Sequence, residues 1–345
     1  MANSIVLHLG DPVRWNHDLY EELKKSFTVI RCQEQSRPSF VQALKDKKYG
    51  DFSALYRPFW NSGGEMGNWD EELIQLLPPS VKIFASAGAG YDWVNVERLA
   101  QSGILYCNSA AACTEAVADT ALWLMLSTFR NFTWSALAAR STDAAQFTDA
   151  HRNIAALAHN PNRHILGIIG LGNIGLRIAQ KARLAFNMNI VYHDLQRKPS
   201  STEVSVGAQF YKDLDGMLAV ADCVVVATPF GGSKVLNAKS ISRMKQGSRL
   251  VNIARGKLID EGALIDALER GQLVGAGLDV HFDEPNVNPR LAEMKNVEVL
   301  SHTAGAALES HVGFEKLGIE NILSFSRTGK ALTAVNTQFM PSTQL

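Results

Sequence analysis

Short apolar runs alternate with amphipathic stretches through the first third of the chain. The pattern predicts strands at 5–9, 27–31, 54–57, 83–86 and 105–108, with helices at 18–25, 40–47, 71–77 and 94–102. Strands alternating with helices of this length imply crossover units and a parallel sheet. A long helix with one strongly apolar face is predicted from about 115 to 140, as a connector. Residues 141–162 are polar and lack clear periodicity, so they read as a loop. A second alternating series follows, with a strand at 165–169, a helix at 174–186 and strands at 190–193 and 224–227. Three more apolar runs, 249–253, 273–278 and 297–300, are predicted as buried strands. The last helix, about 306–328, has no strand after it to join the second sheet and is expected to fold back over the first domain.

Composition changes this picture little. The 345 residues are enough for two domains with proper cores, and 46% hydrophobic with 20% charged is ordinary for a globular protein. Lys+Arg and Asp+Glu number 34 each, so no global field draws nucleic acid or an anionic membrane. The scattered Cys32, Cys107, Cys113 and Cys223 suggest free thiols in a reducing compartment, with no disulfide frame and no metal site. The opening MANSIVLHLGD does not read as a signal peptide, and the apolar run 116–129 carries Asp119 and is too short to span a bilayer. A cytoplasmic protein is expected.

The candidate chemistry lies at the ends of apolar runs. Arg255 follows 249–253, Asp279 closes 273–278, Glu284 sits in a Pro-terminated loop, and His302 follows 297–300. Residues just past the carboxyl ends of parallel strands line the ligand crevice of an open sheet. Arg, Glu and His gathered there make an anion clamp and an acid/base pair suited to a small carboxylate. Three of the four have a competing reading: His281 rivals His302 among nine histidines, Asp279 could cap a turn, and Arg255 could belong to a surface ion pair.

HILGIIGLGNIG places Gly170, Gly172 and Gly175 in a G-x-G-x-x-G after a predicted strand and before a predicted helix. Gly170 permits the turn, Gly172 lets backbone approach a pyrophosphate, and Gly175 lets helix pack on strand. The helix start, at Asn173 and Ile174, offers amides to phosphate. Asp194, 19 residues beyond Gly175, suits ribose hydroxyls and points to NAD. Arg197 and Lys198 just past it keep NADP possible. A second glycine turn, SAGAGYD at 86–92, is either a turn needing positive φ or a concavity of amides for a carboxylate.

Together these residues resemble the D-isomer-specific 2-hydroxyacid dehydrogenase family. The matching motifs are Gly170-Leu-Gly172-Asn-Ile-Gly175, Asn252-Ile-Ala-Arg255-Gly256, Gly277-Leu-Asp279-Val280, Glu284-Pro285 and Ser301-His302. GAGYDW with LDVHFDEP is most similar to fungal D-mandelate dehydrogenase-type enzymes. The resemblance implies an α/β fold of two Rossmann-like, doubly wound parallel-sheet domains with the active site in the cleft between them. It implies a substrate (flavodoxin-like) domain at 1–112 plus 306–345, a dinucleotide-binding domain at 113–305, and a homodimer formed through the latter.

The implied activity is NAD-dependent reduction of 2-oxo acids to D-2-hydroxy acids and the reverse. His302 is then the general acid, Glu284 its partner, and Arg255 the grip on carboxylate and carbonyl oxygen. Ala89 and Gly90 hold the other carboxylate oxygen, and Asp279 contacts the nicotinamide carboxamide. Thr114, Thr228, Pro229 and Ala254 line the cofactor site. Arg57, Phe59 and Trp60 could wall a pocket for a bulky acid such as phenylglyoxylate. Asp119 stands where the family usually has Glu, the segment after Pro229 lacks the usual polar run, and Thr-Ala-Gly follows His302 in place of Ile-Gly. A glyoxylate/hydroxypyruvate reductase is the alternative enzyme, and an NAD-sensing co-repressor-like binding protein the alternative class.

Overall fold

The computed structural model describes residues 4–58 and 66–341. The chain forms two compact units, Met1–Cys113 with Ala306–Leu345, and Thr114–Gly305. The division runs through a helix, Ala110–Arg130.

In the first unit β1 (Ile5–His8), β2 (Thr28–Arg31), β3 (Ala54–Arg57), β4 (Ile83–Ser86) and β5 (Leu105–Cys107) form one sheet in the order β2-β1-β3-β4-β5. Every pairing in it is parallel. Both faces are covered, which explains the continuous apolar runs of β3 and β4. Leu55 and Phe84 face one core with Phe40, Trp69 and Tyr106. Val6, Ala54, Tyr56 and Ile83 face another, which the helix Leu308–Thr328 closes with Ile319, Ile322 and Leu323. The last predicted helix thus does pack on the first sheet. Its buried Glu315 accepts the amides of Arg14 at 2.7 Å and of Trp15 and Asn16 at 3.0 Å, pinning the loop after β1. Beyond it, buried Asn336 accepts from the Tyr106 amide at 2.9 Å and donates to the Ile104 carbonyl at 3.0 Å, closing the edge of β5.

The second unit holds β6 (Ile165–Ile169), β7 (Asn189–His193), β8 (Ala208–Phe210), β9 (Cys223–Val226), β10 (Ser248–Asn252), β11 (Leu273–Leu278) and β12 (Val297–Val299). They form one parallel sheet in the order β12-β11-β10-β9-β6-β7-β8. The order reverses between β6 and β9, and in an open sheet ligands bind beyond the strand ends at such a reversal. Val224, Val226, Leu250, Ala276 and Leu278 form its buried centre.

Three sequence expectations change. The connector helix starts at Ala110 and stops at Arg130, because Asn131 takes a left-handed conformation (φ 51°) before a separate helix, Phe132–Arg140. The expected loop at 141–162 contains a helix, Ala144–Asn153, whose start is capped by Asp143 accepting from the Ala145 amide at 2.8 Å. The pattern also passed over β8 and the helices Ser200–Val206, Leu214–Leu218, Ala238–Arg243 and Glu261–Glu269. Asp119, the shortened acidic position, pairs with Lys181, and its neighbour Glu115 pairs with Arg177 at 2.6 Å, tying the connector to the helix Asn173–Phe186. Among the described residues no helix is long and apolar enough to cross a membrane.

Candidate active site

The glycine turn follows β6. Gly170 has φ +93°, and its amide donates to the His193 carbonyl at 2.9 Å. A Cβ on Gly170 would stand 2.8 Å from the Ala227 carbonyl oxygen, and one on Gly175 would stand 2.1 Å from the Gly170 carbonyl oxygen. Turn, helix and the loop after β9 therefore meet backbone to backbone, with Thr228 directly against Gly170. Gly172 faces open space and starts the 14-residue helix Asn173–Phe186 with no side-chain cap. The first amides of that helix, at exposed Asn173 and half-buried Ile174, are then left for an anion. Close backbone approach beside an uncapped helix start fits a dinucleotide's pyrophosphate. Asp194 follows β7; its Oδ2 accepts from the Leu171 amide at 2.9 Å and lies 2.9 Å from Lys198 Nζ. Pro229 is exposed in the loop after β9, and Thr114 is half-buried on the connector helix.

Arg255 follows β10 on a loop that Asn252 builds. The buried Asn252 side chain accepts from the Ala254 amide at 3.1 Å and donates to the Arg255 carbonyl at 2.9 Å. Arg255 Nη1 donates to the Ala254 carbonyl at 2.8 Å. A Cβ on Gly256 would stand 2.0 Å from the His281 carbonyl, so the loop after β10 rests on the loop after β11. Asn252 is a positioning residue that the motif alone does not announce; an Asn two residues before an amide it can hold is the turn signal for it.

His302 follows β12 with φ +56°, an unusual backbone for a residue other than Gly, Asn or Asp. Backbone and side-chain bonds hold it. Its amide donates to the Asp279 carbonyl at 2.8 Å. The next two amides, Thr303 and Ala304, donate to Asp279 Oδ1 at 2.8 and 3.0 Å. Its Nδ1 lies 2.8 Å from Glu284 Oε2. Glu284 Oε1 accepts the His281 amide at 2.9 Å. Burial alone would raise the Glu284 pKa, but the contacts from His302 and the His281 amide outweigh it and hold the carboxyl below the usual range.

Two sequence readings shift here. Asp279, expected on a carboxamide, is 1% exposed, and its carboxylate is taken by the Thr303 and Ala304 amides. It caps the turn after His302, the competing reading. Burial pushes its pKa up against those amides. His281, the rival histidine, directs Nε2 to the Leu300 carbonyl at 2.7 Å and joins the loops after β11 and β12.

In the first unit the glycine turn after β4 puts Gly88 at φ +88°. Its carbonyl accepts from the Ser109 amide at 2.8 Å, and the Ala89 carbonyl accepts from Asn108 Nδ2 at 2.9 Å. Ala89 and Gly90 are half-exposed. Arg57, expected at a pocket wall, is 3% exposed, stacks 4.4 Å over the Trp93 ring and donates to Ser86 Oγ at 3.2 Å beneath this turn. Phe59 and Trp60 lie outside the described residues.

Over residues 122–304 the chain matches the family described as D-isomer specific 2-hydroxyacid dehydrogenase, NAD binding domain. It is similar to 4-methyl-2-oxopentanoate reductase A of Aspergillus oryzae, at 33% identity over 92% of this chain and 94% of that one. Among solved structures it is similar to the apo form of Rhodotorula graminis D-mandelate dehydrogenase, with TM-score 0.93 and 41% identity over 99% of this chain and 100% of that one. A glyoxylate reductase from Paecilomyes thermophila aligns with TM-score 0.89 and 35% identity, over 98% of this chain and 100% of that one.

Proposed function

The chain belongs to the D-isomer-specific 2-hydroxyacid dehydrogenase family, and from that premise we propose that it reduces 2-oxo acids to D-2-hydroxy acids with NADH, and runs the reverse, with bulky acids such as phenylglyoxylate and D-mandelate among its substrates. The observation that carries the reading is the His302–Glu284 pair, 2.8 Å apart and fixed by backbone bonds on the loops after β11 and β12. NADH, when bound at the glycine turn through Gly170, Gly172, Asn173, Ile174 and Gly175, supplies the hydride.

Reducing a ketone leaves negative charge on its oxygen, which a proton must meet. With Nδ1 of His302 engaged by Glu284, that proton comes from Nε2. Glu284 stays ionised and stabilises the imidazolium. Arg255 presents two parallel donors, suited to a carboxylate oxygen and the developing alkoxide together. In the first unit the amides of Ala89 and Gly90 are our proposed partners for a carboxylate oxygen. Asp279, Asn252 and His281 hold these groups in place.

Glu284 is held below the usual carboxylate range, so the anion beside His302 is kept as pH falls through that range and is lost only below it. Glu284→Gln removes that anion at every pH and should lower kcat/KM for reduction by about tenfold or more. Measuring kcat/KM across pH 5–10 checks this; a Gln variant equal to wild type would mean that Glu284 does not act through His302.

The direct test follows NADH oxidation with phenylglyoxylate, 4-methyl-2-oxopentanoate, hydroxypyruvate and glyoxylate. Efficient turnover of the two bulky acids is expected. Preference for glyoxylate or hydroxypyruvate would make the chain a small-acid reductase instead, and tight NADH binding without turnover would make it a binding protein. We also propose a cytoplasmic homodimer joined through the second unit, supported by the exposed Trp123, Leu137 and Phe147 on three successive helices and by the exposed Leu157 just after them. Sedimentation at the mass of one chain would refute the dimer.

A further inference from the structure

Asp194 stands where a dinucleotide bound at the glycine turn would bring its adenosine ribose. A bare carboxylate there accepts from the 2′-hydroxyl and repels a 2′-phosphate. Asp194 is not bare. Lys198 Nζ lies 2.9 Å from Oδ2, the oxygen that also accepts the Leu171 amide. Partial burial alone would raise the Asp194 pKa, but Lys198 and the amide outweigh it and hold the carboxyl below its ordinary range. The two side chains are therefore an ion pair at neutral pH.

The neighbouring cation is engaged elsewhere. Arg197 forks onto Glu203, with Nε 2.9 Å from Oε1 and Nη2 2.8 Å from Oε2. Tyr192 donates to the same Glu203 at 2.7 Å, and its oxygen accepts the Lys198 amide at 2.9 Å. The backbone at Lys198 is thus anchored to β7, while its ammonium sits at the end of a flexible four-carbon stem. That is a point charge able to move between acceptors, which a forked guanidinium on a fixed carboxylate is not.

We propose that Lys198 is a cofactor-specificity residue that neutralises Asp194 in the resting protein and turns from it to a 2′-phosphate, so that the enzyme takes NADPH as well as NADH. The inference rests on the dinucleotide reading of the turn given above. With NADH, Lys198 stays on Oδ2 and Oδ1 accepts from the ribose. With NADPH, the ammonium lies between the phosphate and the carboxylate and removes the repulsion that would otherwise exclude the phosphate. Both side chains are partly buried, and the exchange is favoured because the ammonium keeps a charged acceptor in either position, the bond to a phosphate being a strong charge-assisted one. Arg197 stays with Glu203 throughout.

The test is equilibrium binding of NADH, NADPH and 2′,5′-ADP to the whole protein, read by quenching of its own fluorescence, in wild type and Lys198→Met. In wild type the two Kd values are expected within about tenfold of each other. Lys198→Met should weaken NADPH by about tenfold or more and move NADH by less than about threefold. It should also abolish competition by 2′,5′-ADP. NADPH binding unchanged in Lys198→Met overturns the inference, as does a wild type that binds NADH and not NADPH. If wild type binds neither dinucleotide, the reading of the glycine turn itself fails and the inference falls with it. Lys198→Gln, which keeps a polar side chain, should reproduce the Met result; normal NADPH binding in it would show that charge is not the cause.

Discussion

Replacing His302 by Asn is expected to lower kcat for 2-oxo acid reduction about 10³-fold, the usual reach of a positioned general acid. Asn is the informative substitution because the residue sits at φ +56°, a region that Asn tolerates and Ala does not favour. The backbone bonds to Asp279 can then survive while the proton donor is lost. NADH affinity should stay within about threefold of wild type, since no bond to the glycine turn is removed. Stopped-flow turnover alongside a fluorescence titration separates the two effects. A variant that binds NADH normally and still turns over within a factor of about ten would remove His302 from the mechanism.

Arg255→Met should be comparably severe. Two charge-assisted hydrogen bonds are worth roughly 3–6 kcal/mol together, or about 10²–10⁴-fold in kcat/KM. Arg255→Lys restores the charge but not the fork, so it should recover only part of the loss. The loop itself should be intact in both, because Asn252 holds it through the Ala254 amide and the Arg255 carbonyl. Steady-state kinetics with phenylglyoxylate gives the answer. A Lys variant equal to wild type would mean that Arg255 supplies only a diffuse positive field.

The sequence carried some of this arrangement openly. Buried parallel strands are continuous apolar runs, so β3, β4, β6, β9 and β11 stand out, as do the residues at their carboxyl ends. The glycine turn is legible because only glycine fits where a Cβ would meet backbone. Helix ends were harder to read. The break at Asn131 rests on a single left-handed residue inside an apolar stretch, and the helix Ala144–Asn153 is polar enough to read as a loop. Partners far apart in sequence left no trace. The Asp279 carboxylate is taken by amides 24 and 25 residues on, and Glu315 meets amides about 300 residues away. Such a carboxylate looks like a ligand contact until the amides that fill it are seen. The Lys198–Asp194 pair was within reach, at a spacing of four residues, but the loop around it has no helical period to place the two side chains together.

The path of the chain through its two units has a consequence for synthesis. The first unit begins with five strands and must wait for Ala306–Leu345 to be completed. About 190 residues are made in between, which at typical translation rates is roughly 10–40 s. Throughout that interval Val6, Ala54, Tyr56 and Ile83 lack the helix that covers them. The second unit is continuous and can fold on the ribosome before the first is closed. The nascent protein therefore passes through a state with a finished nucleotide fold and an open apolar sheet face, which is the stage at which chaperones would engage it and at which premature termination would be most damaging.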